Sequence, residues 1–204
     1  MRTIIKTSLA FFFFVAITTS CTKESMETAA TQQSANQSAS QTANDAALVT
    51  HSIGEKFGGG IIFYLDATKQ HGMVVTASDL SVSGNTQIQW YNGTFKLIGT
   101  TSTDIGRGLQ NTNNIVNAQG NGTYAAKLCK DLVLNGFSDW YLPSKAELNQ
   151  LFKHKGKVPG LSATNYWSST EHSKRTAWDQ EFGGGFQFTD EKSFTLRVRA
   201  VRSF

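Results

Sequence analysis

Gly136-Phe137-Ser138-Asp139-Trp140-Tyr141-Leu142-Pro143-Ser144-Lys145-Ala146-Glu147-Leu148 decides the fold, because it passes from an extended run to a helix within a few residues. Asp139 and Trp140 end a turn and Leu142 packs inward. Pro143 stops the extended run because it has no N–H to donate, and Ser144 caps the helix. Ser144 and Glu147 have capping-box spacing, in which each side chain satisfies an unpaired backbone N–H of the first helical turn. Leu148, Leu151 and Phe152 form the inward stripe of this helix. Lys153 and Lys155 at its far end suit the helix dipole.

Upstream, Tyr124 to Leu134 is helical by its period. Ala125, Leu128, Cys129 and Leu132 fall at i, i+3, i+4 and i+7, and Asn135-Gly136 supplies the stop. Before that, Gly58-Gly59-Gly60 leads into the apolar strand Ile61 to Leu65. Asp66 to Gly72 reads as a turn, and Met73 to Thr76 as the returning strand. Ile88 and Trp90 alternate with polar residues. Asn92-Gly93 is a hairpin signal with Phe95 to Leu97 as the expected partner. Gly99 to Gly122, rich in Thr, Asn, Gly and Gln, reads as a long ordered loop. Tyr166 to Ser169, Ala177 to Phe182, Gly185 to Phe188 and Leu196 to Val201 read as closing strands. The sum is an α+β domain with two helices, mainly antiparallel short strands and a long loop region.

Ahead of the domain, Arg2 and Lys6 precede an apolar run, Leu9 to Ile17, and the small residues Thr18-Thr19-Ser20. That order makes residues 1–20 a signal peptide, too short in its apolar part for the ~20 residues of a bilayer span. Small residues followed by Cys21 resemble the bacterial lipobox, although Thr18 stands where Leu is usual. The resemblance implies cleavage before Cys21 and a lipid on its thiol, so that the chain is anchored to a membrane rather than spanning it. Residues 21–47 hold Ser, Thr, Gln, Asn and Ala with few charges. With so little to bury, they are expected to be a disordered tether holding the domain roughly 30 Å from the lipid. Lys23-Glu24 loosely resembles the surface-export signal of Bacteroidota lipoproteins.

Residues 48–204 form one domain, large enough for a real core. Arg2, Lys6 and Lys23 are offset by Glu24, Glu27 and Asp45, so the formal net charge of +4 belongs to this domain. It permits an acidic partner. Once Cys21 is lipidated, Cys129 is the one remaining thiol and no intrachain disulfide is possible.

In its order of motifs the domain resembles the DUF1566 family, the C-terminal domain of the Legionella collagen-like adhesin. Residues 52–65 with His71-Gly72 resemble its opening. Tyr124 to Cys129 and Gly136 to Ser144 with Glu147-Leu148 resemble its middle. Tyr166 to Glu171, Trp178 and Val198 to Arg202 resemble its end. The family is similar to C-type-lectin-like domains, whose first and last strands pair. The resemblance implies surface display and adhesion, often by binding glycan or polyanion. The collagen repeats of the adhesin are absent.

Clustered cations attract sulfate, phosphate or uronate groups. Lys153, His154, Lys155 and Lys157 are therefore the candidate polyanion site, with Lys174 and Arg175 as an extension if the fold brings the loops together. Tyr166, Trp167 and Trp178 are candidates for an aromatic platform under a sugar ring. Arg197 and Arg199 share a face of the last strand, and one of them is expected to make a structural ion pair, with Glu147 or Glu171 as the candidate acids. No cofactor, metal or nucleic-acid partner is expected. Asp104 is the one acid of the 103–122 loop, against the six to eight oxygens that calcium takes. Catalysis is not expected: Cys129 reads as a buried thiol, and the four histidines lack metal-ligand spacing. The leading expectation is a non-enzymatic lipoprotein of the outer membrane that displays a glycan- or polyanion-binding module. A structural or protein-interaction lipoprotein is the alternative, and a cysteine-dependent or hydrolytic enzyme the least favoured.

Overall fold

Gly58 and Gly59, at φ 52° and 84°, turn the chain between β1 (Lys56–Phe57) and β2 (Gly60–Leu65). Two successive left-handed residues are what a two-residue hairpin of this hand requires. A side chain at Gly59 would also lie 2.6 Å from the ring of Phe137. The computed structural model describes residues 49–204. The expected signal peptide (1–20), Cys21 and the expected tether (21–47) lie outside the described residues. The turn at Asp66 is as expected, with Asp66 Oδ1 accepting from the Thr68 backbone (3.0 Å) and hydroxyl (2.7 Å). It returns the chain as β3 (Gly72–Val75), antiparallel to β2.

The remaining strands are β4 (Gln87–Gln89), β5 (Asn165–Glu171), β6 (Thr176–Glu181), β7 (Gln187–Glu191), β8 (Thr195–Arg197) and β9 (Val201–Ser203). They build two sheets, β1-β2-β3-β9 and β4-β8-β5-β6-β7. Every pairing is antiparallel except the short parallel contact of β5 with β8. Among the described residues three α-helices accompany them: α1 (Gly108–Gln119), α2 (Ala125–Lys130) and α3 (Lys145–Lys153). The domain is thus mixed α+β. One apolar cluster gathers Ile62, Val74, Trp90, Trp140, Trp167 and Val198; a second gathers Phe63, Val75, Leu148, Leu151, Tyr166 and Val201.

Four elements differ from the sequence expectation. First, the 99–122 stretch is half helix. The inward residues of α1 are Gly108, Asn111, Thr112, Ile115 and Gln119, so its helical period is carried mainly by polar side chains. Asn111 and Thr112 are satisfied within the fold, whereas Gln119 Nε2 is buried without a partner among the described residues. Asn111 exchanges bonds with the Ser102 backbone (2.8 and 2.7 Å), and Thr112 Oγ1 with the Leu142 backbone (3.3 and 3.0 Å).

Second, Asn92-Gly93 makes no hairpin. Asn92 Nδ2 donates to Gln119 O (3.1 Å) and Asn121 O (2.7 Å) and so fastens the end of α1, while β4 pairs with β8. Phe95 stacks on Tyr91, with ring centroids 4.8 Å apart.

Third, the expected Leu196–Val201 strand is two strands in different sheets. Between β8 and β9, the buried residues Val198, Arg199 and Ala200 cross the core, and their backbone bonds Leu80 (2.9 Å) and Thr76 (3.0 Å). The last strand therefore joins the first hairpin's sheet through β3, two places from β2. The helix expected at 124–134 is also shorter. It stops at Lys130, and Leu134 and Phe137 bridge across the Asn135-Gly136 turn.

Candidate functional site

Ser144 starts α3 as its sequence requires. The Glu147 N–H donates to Ser144 Oγ (3.2 Å), and the Ser144 N–H to Glu147 Oε2 (2.8 Å). Glu147 Oε1 also accepts from the Gly106 (2.8 Å) and Gly108 (3.3 Å) N–H groups, which ties the start of α1 to the start of α3. Burial pushes the Glu147 carboxyl above its usual range while these backbone donors pull it down. Helix α3 packs against β6, β2 and β5, and at its far end lies the expected basic cluster of Lys153, His154, Lys155 and Lys157.

At the far end, Lys153 and Lys157 are exposed, while His154 and Lys155 are half-buried. His154 Nδ1 lies 3.1 Å from Gln150 O. Lys155 Nζ donates to Phe182 O (2.5 Å) and Gly183 O (3.1 Å) and sits over the Phe152 ring. Part of its role is therefore to hold the β6–β7 connection. Lys153, Lys155 and Lys157 make no ion pair among the described residues. Lys174 and Arg175 precede β6, and Lys155 meets the residues that follow it. A strand of six residues, about 20 Å long, separates the two groups. They are not one patch. Arg175 is also engaged, bonded to Glu191 (3.1 Å) and stacked on Phe95.

The aromatic platform does not form. Trp167 is wholly buried with Nε1 donating to Ile88 O (2.9 Å), and Tyr166 is buried with it. Strand β5 lies inside its sheet, between β8 and β6, and its aromatics fill the core. Trp178 alone remains half-buried at the surface. The Lys145 ammonium lies over its ring at 3.1 Å, and His172 meets it edge-on.

Beside that pair is a polar groove of about 290 Å³, lined by Thr103, Asp104, Lys145, Ala146, Asn149 and Gln187. Sequence reading missed it because its residues come from three segments far apart in the chain. A larger cavity, about 440 Å³, runs along Lys56 to Ile61 with Ala77 and Asn135, and Lys56 is the one ionisable group in its lining.

Other expected roles are settled by contacts. Arg197 and Arg199 pair with Asp79, not with Glu147 or Glu171. Glu171 is spent on Lys192 and on the Ile98 and Gly99 N–H groups. Cys129 is buried, and burial raises its thiol far above the ordinary range. No group of three or more His, Cys, Asp or Glu side chains among the described residues is placed to hold a metal ion. No helix among the described residues is long and apolar enough to cross a membrane.

Residues 82–202 match the family model described as the Lcl C-terminal domain, so the first hairpin lies outside the matched part. No curated protein matches the chain. Among solved structures, a fimbrial protein from Bacteroides ovatus ATCC 8483 is similar at 17% identity and a TM-score of 0.44. That similarity covers 64% of this chain and 35% of the fimbrial chain.

Proposed function

The chain belongs to the Lcl C-terminal domain family, and from that premise we propose that it is a non-enzymatic lipoprotein of the outer membrane. Cys21 carries the lipid anchor, and the domain is a C-type-lectin-like, adhesion-type module that binds a polyanionic glycan. The joining of β9 to the sheet of the first hairpin supports the lectin-like reading. The observation that carries the ligand is the pair Lys153 and Lys157 at the end of α3, exposed and without an ion pair among the described residues; Lys155 beside them is held by Phe182 O and Gly183 O and lies near Glu181. Exposed cations without partners attract sulfate or carboxylate groups with an affinity screened over about 8 Å at physiological ionic strength.

The test is binding of the purified chain to a sulfated polysaccharide at low and high salt. Lys155 has structural bonds, so the clean variant is the double substitution Lys153→Gln and Lys157→Gln. Surface changes of this kind alter stability by less than about 0.5 kcal/mol. Weaker binding with a shallower salt dependence supports the reading, and wild-type affinity at both salt concentrations removes it. For the anchor, Cys21→Ala is expected to yield a soluble or unprocessed protein in detergent partitioning. A variant that fractionates and is processed like wild type removes the lipoprotein claim.

A second reading, display for a protein partner, is favoured by Phe186 and Phe188. They are 67% and 47% exposed and lie at the edge strand β7. Exposed aromatics at a sheet edge suit protein contacts. Loss of partner capture on Phe186→Ser with Phe188→Ser, with polysaccharide binding unchanged, would favour it.

A further inference from the structure

We propose that the groove between the start of α3, the Thr103–Asp104 segment and the start of β7 is a subsite for a carboxylated sugar residue, a uronate, within the polyanionic glycan. The inference rests on the polyanion reading above and narrows it to one chemical class at one place.

The groove holds unspent polar capacity. Three amides form a relay whose orientation is fixed by a backbone carbonyl. Gln187 Nε2 donates to Lys145 O (3.1 Å) and to Gln180 Oε1 (3.3 Å). Gln180 Nε2 then donates to Asn149 Oδ1 (3.0 Å) and to Gly185 O (3.1 Å). The relay leaves Asn149 Nδ2 as a donor and Gln187 Oε1 as an acceptor, and neither has a partner among the described residues. Both residues line the groove.

Lys145 adds the charge. Its ammonium makes no ion pair and no hydrogen bond among the described residues, and it is held 3.1 Å over the Trp178 ring. Pinned there, it loses little side-chain freedom when an anion arrives, and burial lowers its pKa, which marks a partly desolvated ammonium. Asp104 completes the wall. Its carboxylate already accepts from Ser102 Oγ (3.0 Å) and keeps lone pairs for further donors.

The complement of this set is specific. A carboxylate meets the Lys145 ammonium and the Asn149 amide, both donors. Sugar hydroxyls donate to Gln187 Oε1 and Asp104. A neutral sugar leaves the Lys145 charge unanswered. A free sulfate or phosphate ion leaves the two acceptors without hydroxyls to bind, and a sulfate ester on a sugar brings three terminal oxygens to the two donors, Lys145 and Asn149, that match the two oxygens of a carboxylate. Nine residues of helix, about 13 Å, separate Lys145 from the lysines at the far end of α3. One glycan chain lying along this helix therefore reaches both.

The experiment uses the purified full chain and two probes: an oligogalacturonate, which carries carboxylates and no sulfate, and dextran sulfate, which carries sulfate and no carboxylate. The variants are Lys145→Gln and Asn149→Asp. The second keeps the oxygen that accepts from Gln180 and places a negative charge where the free amide donor stood. Each variant is expected to weaken oligogalacturonate binding by about tenfold or more, the scale of a charge-assisted hydrogen bond, and to leave dextran sulfate binding unchanged. Wild-type oligogalacturonate affinity in both variants overturns the inference. So does an equal loss for the two probes, which makes Lys145 one more diffuse charge. A wild-type chain that binds dextran sulfate but not oligogalacturonate overturns the subsite and leaves the polyanion reading standing. Binding of neither probe removes both.

Discussion

Asp79 governs the C-terminal segment one atom at a time. Its two carboxylate oxygens accept from Arg199 Nε (2.5 Å), Arg197 Nη1 (2.6 Å) and the Tyr166 hydroxyl. Arg199 is fully buried and also donates to Thr76 O and Gly160 O, so the guanidinium binds the crossing segment to two loops. Losing the acid would strand a buried cation, at about 3–5 kcal/mol. The sequence showed that Arg197 and Arg199 want an acid but not which one. Glu147 and Glu171 are the nearer acids by motif, and both are committed to backbone N–H groups or to Lys192. Asp179 is the opposite case, an acid without an adequate partner. It is 1% exposed, Asn165 Nδ2 donates to Oδ2 (2.6 Å), and Oδ1 has no partner among the described residues. Burial pushes its pKa from 3.8 up to about 6, against the Asn165 bond and with help from Asp190. The folded state therefore binds the proton more tightly than the unfolded chain. Stability from this group is present below about pH 4 and lost as pH rises through about 6. Asp179→Asn should raise stability by about 1–3 kcal/mol at pH 7.5, with the gain shrinking towards pH 4 in urea denaturation. A gain equal at both pH values would show that Asp179 does not titrate in this window.

The junction at Ser144 carries more at the scale of elements than its capping box alone. Ser144 Oγ also donates to Asp104 O (2.7 Å), and Glu147 gathers the N–H groups at the start of α1, so two helices and one loop meet on two side chains. Ser144→Ala should cost about 1–2 kcal/mol, a cap plus a hydrogen bond to the loop, read as a lower urea midpoint with an unchanged m-value. A loss within the ordinary surface range would mean that neither bond matters. This helix was legible in sequence because its start is chemical and local. Helix α1 was not legible, because Asn111, Thr112 and Gln119 face inward where apolar residues usually mark the period. The Asn92-Gly93 turn misled for a related reason: a side chain with good local options was taken by a distant one. At the candidate site the basic end of α3 was visible as a run of lysines. The groove depends on Thr103, Lys145 and Gln187 meeting in space, and no local pattern announces that. Trp167 and Trp178, eleven residues apart, looked alike in sequence. Their fates were set by strand position, one inside the sheet and the other turned towards α3.

For the whole molecule, the chain closes on itself through its last residues. β9 pairs with β3 at Met73–Ser203, Val74–Arg202 and Val75–Val201. Tyr141 exchanges backbone bonds with Val201 (2.8 and 2.9 Å), and the Phe204 ring packs against Phe57 and His51. The middle of the chain, the first hairpin and the C-terminus thus share one short strand. Removing Val201–Phe204 would strip Val75, Met73 and Tyr141 of cover and leave the β3 edge unpaired. Each large apolar side chain uncovered costs about 1.5–3 kcal/mol, against a total stability of about 5–15 kcal/mol for a domain. A chain ending at Ala200 should therefore show no cooperative thermal transition by circular dichroism. Wild type should show a single one, because the two apolar clusters share the segment that crosses between the sheets. Separate melting of the two sheets in the intact chain would contradict that coupling. A truncated chain that melts cooperatively near the wild-type temperature would show that the C-terminal strand decorates the fold rather than closing it.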